Sequence, residues 1–179
     1  MTFMTFYTPT YKRPLGLARC KASVAAQTDS DYQHLVIEDT VGIGIDGVFR
    51  DVPKYHDQLQ GEYVYFLCDD DVLTDPNMVR DLKRFVQDHD HPDVVMARAT
   101  IGPYMFPGPE CWQAAPVVGG VTLSNWIVKR AVWEAVPYGA YYEGDAEFIV
   151  KCWQAGYRFA WWDRLICSAM GWSRGATEV

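Results

Sequence analysis

Three consecutive aspartates, Asp69, Asp70 and Asp71, directly follow an apolar, aromatic-rich run that ends at Cys68. Such a run predicts a buried strand, and open α/β sheets bind ligands outside the carboxyl ends of their strands. Three neighbouring carboxylates repel one another unless a cation neutralises them, and hard divalent ions take oxygen ligands and bridge to phosphates. The triplet therefore indicates a metal–nucleotide site. The alternative is a solvated acidic turn that caps the next helix.

Further polar groups lie at the ends of other predicted elements. The segment from Pro9 to Pro14 follows the first predicted strand, and the acidic pair Glu38-Asp39 follows the second. Asp145 lies near the start of a later predicted helix, where the helix dipole favours an ionised carboxylate. A carboxylate at the edge of a pocket can act as a general base. The alternative for Asp145 is a purely stabilising role in the first helical turn, which is what we expect for Glu147.

Strands and helices alternate over the part of the chain that must position these groups. The predicted strands span residues 3–8, 32–37, 62–68, 93–99, 121–128, 157–162 and 165–169. The predicted helices span residues 14–28, 50–60, 77–88, 129–135 and 143–155. This alternation predicts an α/β domain with a mostly parallel sheet. Glycines in residues 41–47 indicate a turn, and residues 101–116, with their prolines, are irregular.

Composition limits the class of protein. The 179 residues predict one domain, and a hydrophobic content of 49% is enough for a sizeable core. The net charge of −7 gives no global indication of nucleic-acid or membrane binding. We expect no transmembrane segment and no signal peptide, because the chain lacks an apolar stretch near the required ~20 residues and a basic leader. Five scattered cysteines without a CxxC pair predict free thiols in a reducing cytoplasm.

The order of these motifs resembles that of the GT-A glycosyltransferases, and among them the inverting family-2 group. That group begins with a strand and a Pro-x-Tyr/Phe-Asn/Lys-Arg loop, followed by an acidic pair, a DxD motif, and a carboxylate base on a helix that ends near Ala-Gly-Tyr. The corresponding residues here are Pro9–Arg13, Glu38-Asp39, Asp69–Asp71, Asp145 and Ala155–Tyr157. The resemblance implies a single GT-A domain over residues 1–179, a Rossmann-like α/β fold with a mostly parallel central sheet flanked by helices.

The resemblance also implies a function. It is the metal-dependent, inverting transfer of a sugar from a nucleotide-sugar donor, expected to be a UDP-sugar, to an acceptor hydroxyl. About residues 1–100 would bind the donor, and about residues 101–179 would bind the acceptor and carry the base. The implied donor-binding residues are Pro9, Tyr11, Arg13, Glu38, Asp39, Asp69 and Asp70, with Asp39 or Glu38 reading the base edge. Asp69 and Asp71 would hold Mn²⁺ or Mg²⁺, and Asp145 would deprotonate the acceptor, with Glu143 as the alternative base.

The chain departs from the family pattern in two ways. The segment between the triplet and Asp145 is short, and Cys167–Trp172 lacks the late His that helps many members to hold the metal. Metal binding would then depend on Asp71, water and diphosphate oxygens. A shift of the DxD motif by one residue would make Asp70 the ligand.

Other functions remain as alternatives. A non-catalytic sugar-nucleotide or partner-binding module could use the same fold. A phosphotransferase is disfavoured because Leu73 replaces the Thr or Val of its DxDx(T/V) motif, and a nucleotidyltransferase because its N-terminal phosphate loop is missing. The acceptor is open between a lipid carrier, a polysaccharide, a protein and a modified nucleic acid. Among the tryptophans, Trp112 is the best candidate to stack on a sugar or acceptor ring.

Overall fold

The computed structural model describes residues 2–169. The strands are Thr2–Thr10 (β1), Tyr32–Glu38 (β2), Gly61–Phe66 (β3), Asp71–Leu73 (β4), Val94–Ile101 (β5), Tyr104–Phe106 (β6), Trp126–Lys129 (β7) and Phe159–Ala169 (β8). The helices are Pro14–Ala25 (α1), Gly44–Asp51 (α2), Met78–Asp88 (α3), Arg130–Ala135 (α4) and Gly144–Gln154 (α5). Short 3₁₀ helices span Val52–Gln58, Pro109–Cys111 and Leu123–Asn125.

A single sheet contains these strands in the order β2-β1-β3-β7-β5-β8-β4, with β6 paired to β5. Strand β1 is parallel to β2 and β3, and β5 is parallel to β8. Strand β7 lies antiparallel between β3 and β5. Strands β1, β2, β3, β5 and β8 therefore run in one direction, and their carboxyl ends meet at one edge of the sheet, here termed the carboxyl edge. Strand β7 runs the other way, so it begins at that edge.

Two apolar layers cover the faces of the sheet, because successive residues of a strand point to opposite sides. In β3, Val64 and Phe66 pack on the side of α2, α4 and α5, whereas Tyr63 and Tyr65 pack on the side of α1 and α3. Large side chains such as Trp133 are fully buried. Burial of each such side chain stabilises the fold by roughly 1.5–3 kcal/mol. The sheet thus holds the carboxyl edge on a rigid support.

The α/β class, with a mostly parallel central sheet flanked by helices, is confirmed, but several predicted boundaries were wrong. Helix α2 begins at Gly44, inside the stretch predicted as a turn, and a 3₁₀ helix replaces the rest of the predicted 50–60 helix because Pro53 cannot continue the α-helical hydrogen bonding. The two predicted strands 157–162 and 165–169 form one strand, β8. The polar residues Asp163 and Arg164, which lie between the two predicted strands, form ion pairs with Arg98 and Asp81.

The segment predicted as a strand over residues 121–128 is a strand only from Trp126. Before it, Thr122 and Asn125 form a capping box, with each side chain bonded to the other residue's backbone, and this box closes a 3₁₀ turn. The short strands β4 and β6 were not predicted, since three residues are too few to give a periodic signal.

All five cysteines are free thiols, and four of them are buried. Burial raises the pKa of Cys20 and of Cys152 to about 12. Within residues 2–169, no helix combines the length and apolar character needed to cross a membrane.

Candidate functional site

The carboxyl edge places Arg13 against the acidic triplet. Arg13 Nη1 lies 3.1 Å from Asp69 Oδ1 and 2.8 Å from Asp70 Oδ2. The hydroxyl of Thr10, at the end of β1, donates to Asp69 Oδ2 at 2.8 Å. Arg13 is the N-cap residue of α1, and Pro14 starts that helix with a preset φ angle, so the backbone that carries the guanidinium is fixed. One cation is therefore shared between two carboxylates.

Asp71 has a different environment from its neighbours. It is 2% exposed, and its Oδ2 accepts a 2.6 Å hydrogen bond from Ser124 Oγ. Burial raises the pKa of Asp71 to about 7, although the Ser124 hydroxyl acts in the opposite direction. The side chains of Asp69 and Asp70 are 7% and 20% exposed. Asp70 is thus the most accessible carboxylate of the three, and Asp71 is held inside the protein.

The donor set suits a hard divalent cation. Asp69 and Asp70 share a single guanidinium, Asp71 has none among the described residues, and both burial and the charge of Asp70 raise the pKa of Asp69. The surplus negative charge would be relieved by an ion that prefers carboxylate oxygens. Over the described part of the chain, no three His, Cys, Asp or Glu side chains converge as a complete metal centre. An ion at Asp70 would therefore need further ligands from a bound molecule and water.

A cleft of about 190 Å³ opens between the carboxyl ends of β1 and β2 and the helix α2. Pro9, Glu38 and Asp39 line it, together with the rings of Tyr7 and Tyr55. Three of the predicted nucleotide-pocket residues are thus brought together. Tyr11 and Arg13, which were also predicted to line the nucleotide pocket, do not line this cleft. Arg13 contacts Asp70 of the triplet instead.

The loop after β2 is closed by Asp39. Its Oδ1 accepts the N–H groups of Val41 and Gly42 at 2.8 Å, and its Oδ2 accepts that of Ile43 at 2.7 Å. Burial acts to raise the pKa of Asp39, but the three N–H donors outweigh it and hold the pKa below its usual value. Gly42 has φ +82°, and a Cβ there would overlap the Tyr11 ring. Tyr11 therefore packs on this loop, and Asp39 shapes the cleft besides lining it.

We expect Asp39→Ala to lower the free energy of unfolding by about 1–2 kcal/mol, because the half-buried N–H of Ile43 and the exposed N–H groups of Val41 and Gly42 lose their charged acceptor. Nucleotide affinity should fall with it. An acid whose pKa is lowered by folding stabilises the protein above its unfolded pKa, and this stabilisation is lost as the pH falls through the folded value. The stability difference should therefore shrink below about pH 4. Urea unfolding at pH 7 and pH 3.5 checks this.

The matched control is Glu38→Ala, which removes an exposed carboxylate from the same cleft. This variant should keep the stability of the parent protein. If Asp39→Ala is as stable as Glu38→Ala at pH 7, the loop does not depend on the Asp39 carboxylate.

Asp145 occupies the first turn of α5 and is half-buried. Burial raises its pKa to about 6, against the opposing effect of three backbone N–H groups, those of Ala146, Asp145 itself and Leu123. The helix start approaches the preceding loop closely: a Cβ on Gly144 would lie 2.0 Å from the carbonyl oxygen of Gly139. A carboxylate with a pKa near neutrality is suited to general-base catalysis.

The other acidic residues of this segment have different surroundings. Glu143 is exposed. Glu147 accepts a hydrogen bond from Tyr141 and forms an ion pair with Lys151 at 3.2 Å, one helical turn away. Glu147 thus has the stabilising contacts expected of a helix-surface residue.

Trp112 packs against the protein's own side chains. The guanidinium of Arg98 lies 3.4 Å from the centre of its ring, and the Trp161 ring meets it edge-on at 5.5 Å. One face of the ring expected to stack on a sugar is therefore covered by Arg98. The segment Cys167–Trp172, in which the late His is missing, lies outside the described residues from position 170 onwards.

Three contributors to the site were missed in the sequence. Thr10 was predicted to lie in the loop after the first strand, whereas it is the last residue of β1, and no pattern distinguished its hydroxyl from that of Thr8. Ser124 and the N–H of Leu123 lie in a segment predicted as a strand interior. No local signal indicated them, because they reach the carboxyl edge only through the antiparallel insertion of β7.

Comparison with known proteins gives structural matches only: no family model and no curated protein matches the chain. TarS 1–349 of S. aureus in complex with UDP-GlcNAc superposes with a TM-score of 0.70 at 18% identity, over 99% of this chain and 62% of that one. The mannosyltransferase PcManGT from Pyrobaculum calidifontis, in complex with GDP-Man and Mn²⁺, gives 0.66 at 14% identity, over 96% of this chain and 58% of that one. A197 from STIV superposes with a TM-score of 0.58 at 15% identity, over 90% of this chain and 82% of that one.

These likenesses establish the class of fold. The chain has the GT-A fold of nucleotide-sugar glycosyltransferases, as the order of its sequence motifs predicted. It spans 36% of the length of full TarS and about 60% of TarS 1–349. The fold is thus shared with part of each of these larger proteins.

Proposed function

We propose that this chain is a glycosyltransferase that moves a sugar from a nucleotide-sugar donor to an acceptor hydroxyl. The observation that carries the proposal is the acidic triplet at the carboxyl edge, where Arg13 binds Asp69 and Asp70. Asp145, whose pKa is raised to about 6 by burial, is the candidate base. The solved neighbours support it, since TarS is seen with UDP-GlcNAc and PcManGT with GDP-Man and Mn²⁺. We propose a UDP-sugar as the donor.

The nucleoside would occupy the cleft beside Pro9, Glu38 and Asp39, with its diphosphate directed to the triplet. The Asp39 carboxylate already accepts hydrogen bonds from three backbone N–H groups. The exposed carboxylate of Glu38 is therefore better placed to bind the edge of the base. Asp70, with Asp69 beside it, would hold a divalent ion, which when bound neutralises the charge that develops on the leaving diphosphate. Arg13 contributes fixed positive charge to the same place.

Asp145 would take the proton of the acceptor hydroxyl as the acceptor oxygen bonds to the anomeric carbon. The bond from that carbon to the diphosphate breaks in the same step, and the nucleoside diphosphate leaves with the electron pair. A single in-line displacement inverts the anomeric configuration. About residues 1–100 would thus serve the donor, and about residues 101–179 the acceptor, within one domain. The free thiols suit a reducing compartment, and we propose the cytoplasm.

Calorimetry with UDP, GDP and ADP, each with and without Mn²⁺, tests the donor site. We expect UDP to bind best, and Mn²⁺ to increase its affinity at least about tenfold, because the ion offsets the repulsion between the triplet and the diphosphate. Equal UDP affinity with and without Mn²⁺ would contradict the metal site. Absence of binding by every nucleotide would reject the proposed function, and binding without turnover in a donor screen would favour the non-catalytic module.

A further inference from the structure

The 3₁₀ turn from Thr122 to Asn125 lies at the carboxyl edge because of the direction of β7. Parallel strands end at that edge, whereas the antiparallel β7 begins there. The residues that precede β7, just before Trp126, therefore lie at the carboxyl edge. The turn therefore lies between β3 and β5, in the middle of the sheet.

The turn is buried and internally bonded. Thr122 N–H donates to Asn125 Oδ1 at 2.7 Å, and Asn125 N–H donates to the Thr122 carbonyl at 3.2 Å. Tyr65, on the central strand β3, donates its hydroxyl to the Ser124 carbonyl at 2.7 Å. Leu123, Ser124 and Asn125 are at most 6% exposed. The conformation of this turn is thus fixed by the core of the sheet.

Two adjacent residues of the turn contact the two acidic centres. Ser124 Oγ donates to Asp71 Oδ2 at 2.6 Å, and the backbone N–H of Leu123 faces the Asp145 carboxylate closely enough to lower its pKa. A single peptide unit therefore joins a contact to the triplet with a contact to the base. If either carboxylate moved away from the other, the Ser124 hydrogen bond to Asp71 or the contact of the Leu123 N–H with Asp145 would be lost.

We propose that the turn Thr122–Asn125 is a positioning element that holds Asp145 at a fixed distance from the acidic triplet, with Leu123 N–H and Ser124 Oγ as its two contacts. The inference rests on the proposed function, in which the triplet serves the donor and Asp145 the acceptor. Transfer needs both partners within a few tenths of an ångström of the reactive geometry, and misplacement by 1 Å can cost about 100-fold in rate.

The charges around Asp145 make the Leu123 contact specific. Among the described residues, the titratable groups that act on it are Glu143, whose charge raises its pKa, and the Tyr138 hydroxyl, on which Asp145 acts in turn. Neither supplies positive charge. The ionised form of Asp145 is therefore stabilised by the N–H groups of Ala146, Asp145 and Leu123, and of these three Leu123 lies outside helix α5.

Leu123→Pro removes this N–H with little change in the backbone. Leu123 is the first residue of the 3₁₀ helix, where proline is tolerated, and Thr122 has the extended φ −141°, ψ 161° that a residue before proline requires. Leu123→Ala is the matched control, since it loses the same side chain but keeps the N–H. We expect the pKa of the Asp145 carboxyl, followed by ¹³C NMR, to be about one unit higher in Leu123→Pro than in Leu123→Ala. Equal values would overturn the proposal.

Ser124→Ala tests the other contact. We expect kcat to fall about 10–100-fold while UDP affinity changes less than about twofold, because the carboxylates lose their relative position and the nucleotide cleft is untouched. Ser23→Ala is the matched control: its hydroxyl accepts the N–H of Leu73 in β4 but contacts no carboxylate, and it should keep kcat. An equal loss of kcat in Ser23→Ala, or an unchanged kcat in Ser124→Ala, would overturn the proposal.

The two experiments separate this inference from the proposed function. If the unmodified protein turns over no sugar nucleotide, the proposed function fails, and the NMR pair at Leu123 still shows whether the turn controls Asp145. If the unmodified protein is active and both variants match their controls, the positioning role fails alone.

Discussion

Replacement of Asp145 by asparagine is expected to slow sugar transfer by about 10²–10⁴-fold, the usual contribution of a general base. Asparagine keeps the size of the side chain and can still accept the N–H of Leu123, but it cannot take a proton from the acceptor. UDP affinity should be unchanged, because Asp145 does not line the nucleotide cleft. Steady-state rates, together with calorimetry on the same preparations, check both expectations.

The pH dependence gives a second test of the same residue. Burial raises the pKa of Asp145 to about 6, and only its ionised form can accept a proton, so kcat/KM should rise as the pH increases through about 6. That rise should be absent in Asp145→Asn. The matched control is Glu143→Gln, which alters an exposed carboxylate two residues away and should remain active. Normal turnover by Asp145→Asn with a dead Glu143→Gln would move the base to Glu143, and activity in both would reject the mechanism.

Asp70→Asn is expected to abolish the Mn²⁺-dependent part of UDP affinity and to lower turnover by at least about 100-fold, since stabilisation of the leaving group is lost. Asp70 is chosen because it is the most accessible carboxylate of the triplet. Calorimetry at several Mn²⁺ concentrations measures the metal-dependent part directly, even if turnover is too slow to follow.

Asp71→Asn is the matched control for this second prediction. Its amide oxygen can still accept the Ser124 hydroxyl, and its buried position keeps it away from the nucleotide, so the Mn²⁺ dependence should persist. If Asp71→Asn instead loses the Mn²⁺ effect and Asp70→Asn keeps it, the metal is held by Asp69 and Asp71, as the alignment with the DxD motif first implied.

The sequence predicted the fold well where the signals are local and long. The apolar run before the triplet correctly predicted β3, and the helical spacing of Met78, Leu82 and Val86 correctly predicted α3. Prediction failed where long-range contacts decide the conformation. Strand β8 continues through Asp163 and Arg164 because partners on β5 and α3 bind their charges, and these partners are distant in sequence.

The site was predictable in its location but not in its orientation. Motif order placed the triplet, the acidic pair Glu38-Asp39 and Asp145 at one edge, and the parallel strands bring the first two of these together there. Which of the three successive aspartates points inward depends on the turn between β3 and β4. The inward one, Asp71, accepts a hydrogen bond from Ser124, which lies 53 residues further along the chain. Periodicity cannot reveal a contact of that kind.

The buried cysteines provide an internal reporter of folding. Cys20, Cys152 and Cys167 are completely buried in the native protein, and burial raises the pKa of each thiol. Only the exposed thiolate reacts with alkylating reagents. Labelling of these positions therefore requires the chain to open, and its rate measures the population of opened molecules. Each variant above carries these native thiols, so a loss of activity can be separated from a loss of structure without a fluorescent label or any further substitution.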